Sequence, residues 1–349
     1  SISNPIFLSY PGTSGGPLFV ENTNLDPIVS SMRLLYKNSK TETLSELMGV
    51  PTSQLSNDYW MPFYIDNATH DSQIRFTNTH DTLSTTVNVY LGDNPTPVTS
   101  IALGPQAAER VNLDNTTGGP LRIESTTAGV NILAGMRIIY KGNSSFDEIM
   151  ALPTAQLDDE YWFPFYNHNN VNLFSEVRVG NPSGTDTNVD IYLGNTLMDD
   201  DYPLPARGYF LRSYPGTSGG PLRVVSNDGT NIIASMRLLY RNSKTETLSE
   251  LMGVPTSQLS NDYWMPFYID DANHDSQIRF TNTHDTLSTT VNVYLGDNPT
   301  PVYSIVLGPQ AADRVNLDNT TGGPLRIEST TAGVNILAGM RIIYKGNSS

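Results

Sequence analysis

The hexapeptide Tyr59-Trp60-Met61-Pro62-Phe63-Tyr64 returns as Tyr161-Trp162-Phe163-Pro164-Phe165-Tyr166, and again as Tyr263-Trp264-Met265-Pro266-Phe267-Tyr268. Its tryptophans are the only three in the chain and stand 102 residues apart. A fixed period of this kind marks an array of structural units, and it governs every other reading of the sequence. Gly-Gly-Pro-Leu keeps the same beat at 15–18, 118–121, 219–222 and 322–325, with slips of a residue or so. So does Met-Arg-[Leu/Ile]-[Leu/Ile]-Tyr, starting at Met32, Met136, Met236 and Met340. Residues 9–145 also align without gaps on residues 213–349, with 16 differences over 137 positions, ten of them between Phe19 and Ser30. Two diverged unit types, A and B, therefore alternate. The expected division is the end of a preceding repeat over 1–12, repeat A over 13–115, repeat B over 116–216, a second A over 217–318, and the start of a further B over 319–349. The period leaves open whether a unit begins at Gly-Gly-Pro or elsewhere. Both ends cut through a unit, so we expect a window on, or one subunit of, a longer array.

Composition narrows the class. The 349 residues carry 20 Lys and Arg against 35 Asp and Glu, a net charge of −15. That charge repels nucleic acid and anionic lipid. Cysteine is absent, which removes disulfides, thiolate catalysis and thiolate metal sites together. No apolar run reaches the 18 or so residues of a membrane-spanning helix. With 38% hydrophobic and 9% aromatic residues, the chain is rich enough in apolar side chains to build cores.

Within a unit, short extended runs recur at intervals set by Asn, Gly, Pro and Asp turns. Pro120–Ser125 and Asn131–Tyr140 read as strands, and Asn188–Leu193 alternates, with Val189 and Ile191 facing away from Asp190 and Tyr192. Ser145-Phe-Asp-Glu148 has the capping-box pattern and predicts a short helical turn stopped by Pro153; Thr43 and Glu46, closed by Gly49 and Pro51, repeat the device. Six or seven such strands per unit predict an all-β chain of tandem immunoglobulin-like antiparallel β-sandwich domains with one short helical turn per domain. One tryptophan per unit in an apolar strand fits an inter-sheet core anchor, at Trp60, Trp162 and Trp264. Linkers are short, which favours a stiff rod over freely jointed beads.

Several motifs invite chemistry. Gly12-Thr-Ser14-Gly-Gly-Pro-Leu18 and its copy at Gly216–Leu222 are close to the Gly-Asp-Ser-Gly-Gly-Pro string around the nucleophile of chymotrypsin-like proteases. Thr13 and Thr217 replace the Asp, however, and the other units carry Thr117 and Thr321 in place of the serine. A nucleophilic serine needs a base and an orienting acid, so a Gly-Gly turn opening a strand is the reading we adopt. His70, His80, His168, His274 and His284 lack the spacing of a helical metal site and read as loop histidines. Asp158-Asp159-Glu160, Asp199-Asp200-Asp201 and Asn227–Asn231 are oxygen-rich enough for calcium, but they lack EF-hand spacing, so solvated loops are expected and no cofactor is required. Arg33, Arg137, Arg237 and Arg341, with Arg75, Arg178 and Arg279, sit within apolar strands and demand carboxylate or carbonyl partners. Lys37, Lys141 and Lys345 occupy matching places open to Lys–Asn cross-linking, but Arg241 fills the fourth. Asn67, Asn115, Asn143, Asn319 and Asn347 begin Asn-x-Ser/Thr triplets at turns and are candidate N-glycosylation acceptors if the host modifies asparagine.

Taken together, Gly-Gly-Pro-Leu, Ile-x-[Ala/Ser]-[Ser/Gly]-Met-Arg and Tyr-Trp-[Met/Phe]-Pro-Phe-Tyr resemble repeats in very long surface and fibre proteins of filamentous bacteria. The resemblance spans essentially the whole chain. It implies an exported β-sandwich array in a fibre, sheath or adhesin, at the cell surface, and implies little chemistry. The family's Ser-Glu-Arg is Ser-Met-Arg or Gly-Met-Arg here, so any role of that acid does not carry over. We therefore expect a non-enzymatic, extracellular structural protein that self-associates into a rod or filament, since identical copies offer identical contacts to a non-closing assembly. The second expectation is a multivalent adhesin or carbohydrate-binding surface protein that contacts cell-surface glycans or other cells. The divergent stretch Phe19–Ser30 against Arg223–Ala234 is where its specificity would vary. Neither expectation involves nucleic acid or a membrane span.

Overall fold

The computed structural model describes residues 5–24, 26–37, 42–169, 171–241 and 246–345. A hairpin of β1 (Ser31–Lys37) and β2 (Glu42–Met48) comes first. A complete unit follows: β3 (Asp58–Met61), β4 (Tyr64–Ile65), β5 (His70–Asn78), β6 (Thr85–Leu91), β7 (Thr99–Leu103), β8 (Ala108–Val111), β9 (Thr117–Gly118), β10 (Leu121–Ser125), β11 (Ile132–Tyr140) and β12 (Phe146–Met150). One sheet has the order β13-β3-β10-β6-β7, where β13 is Leu152–Pro153; the facing sheet runs β12-β11-β5-β8. Every pairing is antiparallel. The same two orders recur between Glu160 and Pro255, and again between Asp262 and Tyr344, where the described residues include no counterparts of β12 and β13.

The chain is thus an array of all-β sandwiches, as the strand spacing indicates. The neighbour relations of β5, β6, β7, β8 and β10 match those of immunoglobulin strands B, C, C′, E and F. The flanks differ, for β3 lies where G would pair and β11 where A would pair. Alternation explains the sheets. In β6, Val87 and Val89 are fully buried while Asn88 and Tyr90 are half-exposed, and in β10 Leu121 and Ile123 face inward against Arg122 and Glu124. Each such aliphatic side chain contributes about 1.5–3 kcal/mol on full burial.

Three expectations change. First, the capping-box segments are strands: Glu42–Met48 and Phe146–Met150 are the last strands of their sheets. The one helical turn per unit is a three-residue 3₁₀ turn at Thr52–Gln54, Thr154–Gln156 and Thr256–Gln258. Pro51, Pro153 and Pro255 open these turns instead of stopping a helix, and the fixed φ of proline suits that place. Second, the boundary at 115/116 would cut a single sandwich, because β10 and β11 pair with β3, β5 and β6. The same holds at 216/217 and 318/319. Sandwiches close near 56–153, 158–255 and from 260 onward, half a unit out of phase with the division at Gly-Gly-Pro. Third, the inter-sheet core is built by Tyr59, Met61, Phe63, Ile74, Phe76, Val87, Leu121 and Met136, and by their counterparts in the next units. The tryptophans lie outside it.

Candidate functional site

The strand that carries the aromatic hexapeptide explains where the tryptophan goes. A strand sends successive side chains to opposite faces. Tyr59 and Met61 enter the core, so Trp60 stands on the outer face, where the chain passes to the next unit. Its Nε1–H donates to Thr154 Oγ1 at 2.9 Å, and Thr154 Oγ1 donates to Asp58 Oδ2 at 2.8 Å. Arg122 pairs with Asp58 at 2.9 Å and lies 5.7 Å from the Trp60 ring, with Arg207 of the second unit at 5.0 Å. The next joint repeats this. Trp162 donates to Thr256 at 2.9 Å, Thr256 to Glu160 at 2.6 Å, and Arg223 pairs with Glu160 beside the Trp162 ring. Trp60 and Trp162 are 5% and 3% exposed, against 42% for Trp264. Trp60 and Trp162 are therefore joint residues, and Trp264 occupies the same outer face, beside Arg326 of its own unit; none of the three is an inter-sheet anchor.

The Gly-Gly-Pro signature serves the same hexapeptide. A Cβ on Gly119 would lie 2.4 Å from the Pro62 carbonyl oxygen, and one on Gly220 or Gly323 would lie 2.7 or 2.6 Å from that of Pro164 or Pro266. Only glycine lets these backbones approach so closely. The two most repeated strings of the sequence are thus one packing contact. The serine of the protease-like string, Ser218, is exposed. His168 instead meets Ser213 at 2.9 Å through Nδ1.

A second joint contact uses the phenylalanine. Phe63, 2% exposed, lies beneath Arg178 and Arg237 of the second unit at 4.6 and 5.6 Å, and Phe165 beneath Arg279 of the third at 3.8 Å. Such stacks are worth about 0.5–2 kcal/mol each, more when desolvated. Phe267 lies beneath Arg33 of the first hairpin at 4.9 Å, with Phe7 edge-on at 5.8 Å. The apolar core of the first complete sandwich also takes in Leu248 of the second.

Arg33, Arg75, Arg137, Arg178 and Arg237 find carboxylates in the last strands of their sheets, which are strands and not helix caps, while Arg279 donates to Gln277 and lies over Phe165. Arg33 faces Glu46, Arg137 faces Glu148 and Arg237 faces Glu250, directly across the last two strands, and each pair is an ion pair. Arg178 reaches Glu250 at 3.6 Å and Glu176 at 2.5 Å. Burial and the neighbouring Arg237 charge pull the Arg178 guanidinium down to about 10.

The third contact is a column of last strands. β2, β12 and the strand Glu246–Met252 lie side by side in register, with no backbone ladder between them in any sheet. Side chains bridge instead. Phe146 N–H donates to Thr43 Oγ1 at 3.4 Å, Glu148 N–H to Ser45 Oγ at 3.1 Å and Glu250 N–H to Asp147 Oδ2 at 2.8 Å. Ser45 Oγ donates to Asp147 Oδ1 at 2.6 Å. Beside the column, Gln258 donates to Gln156 at 2.9 Å, and a cleft of about 370 Å³ opens among Gln54, Gln156, Gln258 and the strand ends.

The remaining candidates disperse. Asn67, Asn115 and Asn319 are exposed in turns, the last two at positive φ. Asn143 is partly buried and donates its Nδ2–H to the Glu246 carbonyl of the next unit; Asn347 lies outside the described residues. Lys141 and Lys345 form ion pairs with Asp66 at 2.6 Å and Asp270 at 2.8 Å. His80 and His284 each accept two backbone N–H groups at Nδ1. Asp199 is bound by Arg212 and Tyr214, Asp190 accepts from Asp201 N–H, and Asp158 from Ser257 N–H. Among the described residues no three His, Asp or Glu side chains gather as a metal cage, and no helix is long and apolar enough to cross a membrane.

No family model and no curated protein matches this chain. A solved chain described as a biofilm associated protein, BSP domain, aligns over 92% of this one at 10% identity and a TM-score of 0.17. The match spans 65% of that chain.

Proposed function

We propose that the chain is a non-enzymatic structural protein of the cell exterior, whose sandwiches are locked end to end as the repeating element of a rod or filament. The observation that carries this reading is the recurrence of one joint, with indole donating to threonine and threonine to carboxylate, between successive units. Side-chain contacts that repeat at each boundary resist bending in a way that a linker alone does not. The aromatic residues support this reading over the adhesin reading. Sugar sites stack exposed rings, whereas Trp60 and Trp162 are consumed within joints. Electron microscopy of native material, before and after a chelator, tests the proposal. Long fibres with a regular repeat along their length are expected. Discrete particles a few units long at every concentration would reject the filament and put the multivalent adhesin first; fragmentation by the chelator would make calcium part of the assembly.

A further inference from the structure

The two unit types differ at the one position on which the column of last strands turns. Ser45, Asp147 and Ser249 are equivalent, so the column alternates hydroxyl, carboxylate, hydroxyl. The first two members each accept the N–H of the residue after their neighbour in the following strand, Glu148 for Ser45 and Glu250 for Asp147. Ser45 also gives its hydroxyl proton to the Asp147 carboxylate beside it. Asp147 further accepts its own strand's Glu148 N–H at 2.9 Å. All three of these donors are neutral.

We propose that this position is the specificity determinant that seats a unit of one type against a unit of the other: a serine-bearing last strand recognises an aspartate-bearing one. Two serines leave the carboxylate's share of the hydrogen bonding empty. Two aspartates set like charges at hydrogen-bond distance in a partly buried seam, where one of them must take up a proton. The surrounding charges offer no relief. Among the described side chains of the three elements packed on β12, the charged groups are Glu46, Arg137, Glu246 and Glu250, and each is already paired within its own hairpin, with Arg33, Glu148, Arg241 and Arg237 respectively. Burial, with the Glu250 charge adding to it, already pushes the single Asp147 carboxyl up to about 7 against the pull of its three hydrogen bonds. Alternation thus keeps like units from pairing, a repulsive device that sequence near-identity would otherwise leave missing. The inference concerns contacts within one chain, so it stands or falls apart from the filament reading.

The test compares amide hydrogen exchange in the segments 42–48 and 146–150 of the full chain with Ser45→Asp, Asp147→Ser and the swap Ser45→Asp/Asp147→Ser, at matched pH, near 8 and near 5. At the higher pH, Ser45→Asp is expected to speed exchange in both segments by about tenfold or more, the equivalent of one pKa unit of repulsion. Acid should narrow that gap, because protonation removes one of the charges. The swap restores an alternating pair at 45 and 147 and should return exchange in 42–48 to within about threefold of the parent, well inside one pKa unit, while the serine placed at 147, now beside Ser249, leaves 146–150 at the level of Asp147→Ser alone. Asp147→Ser alone should cost less than Ser45→Asp. A swap that exchanges as fast as Ser45→Asp, or a Ser45→Asp chain no faster than the parent, would overturn the proposal.

Discussion

At the scale of single residues, the joint depends on groups with little tolerance. Gly119 has the Pro62 carbonyl where its Cβ would be, so Gly119→Ala should cost about 1–3 kcal/mol or more through overpacking. Gly104 has open space around that position, and Gly104→Ala should leave the denaturation midpoint nearly unchanged; equal effects of the two would refute the contact. Thr154→Val keeps the shape but strands the Trp60 indole N–H, at about 1–3 kcal/mol for a buried donor left unpaired, measurable by urea denaturation. His70 adds a pH dependence. Burial, together with the charges of Arg237, Arg178 and Lys141, lowers its pKa to about 3. Its neutral form is therefore favoured by folding. That contribution is present above the unfolded value near 6.5 and is lost as pH falls towards 3. Asp147 has the opposite sign: its raised pKa contributes stability below the unfolded carboxyl value, lost as pH rises through about 7. Replacing His70 by Phe, which keeps a ring against Tyr140, isolates the first effect. The variant's urea midpoint relative to the parent should rise between about pH 7.5 and pH 4.5. An unchanged difference would remove His70 from the account.

At the scale of elements, the strands were largely legible because β-branched alternation and turn residues point the same way, as in Val87–Leu91 and Leu121–Ser125. Where the reading failed, two patterns competed. Phe146-Asp-Glu-Ile-Met followed a serine, and local capping logic favoured a helix. The arginine across the sheet decided otherwise, since Arg137 needs Glu148 and only a paired strand supplies it. Trp60 was misplaced for a related reason. Tyr59, Trp60 and Met61 are all apolar, so a period of two gives no sign of which face is core. The signal lay in the strand's company: Arg122, opposite Trp60 in the adjacent β10, marks the outer face. Turns also separate the sequons. In a host that glycosylates asparagine, Asn67, Asn115 and Asn319 should carry glycans, while Asn143 of the folded chain should not, its Nδ2–H being committed to the Glu246 carbonyl. Site-resolved glycopeptide mass spectrometry checks this, and a fully occupied Asn143 would mean that the joint opens.

At the scale of the whole molecule, the repeat gave the length of a unit but not its phase, because translation by 102 residues looks the same from any starting point. Only pairing partners such as β3 with β10 place the boundary near residue 56. The joints themselves were legible as strings but not as contacts, since Trp60 and Thr154 are 94 residues apart. The first hairpin, through Arg33, covers Phe267 much as the second sandwich, through Arg237, covers Phe63. The central claim is that these joints hold successive sandwiches as one body. A chain without cysteine lets two introduced labels report that directly. Asp93→Cys and Asp297→Cys place spin labels on equivalent exposed turns of the first and third sandwiches, and pulsed electron spin resonance measures the distance distribution between them. One narrow peak, broadened by adding Thr154→Val and Thr256→Val, is the result expected of locked joints. A broad distribution in the parent chain, unaltered by those substitutions, would contradict it.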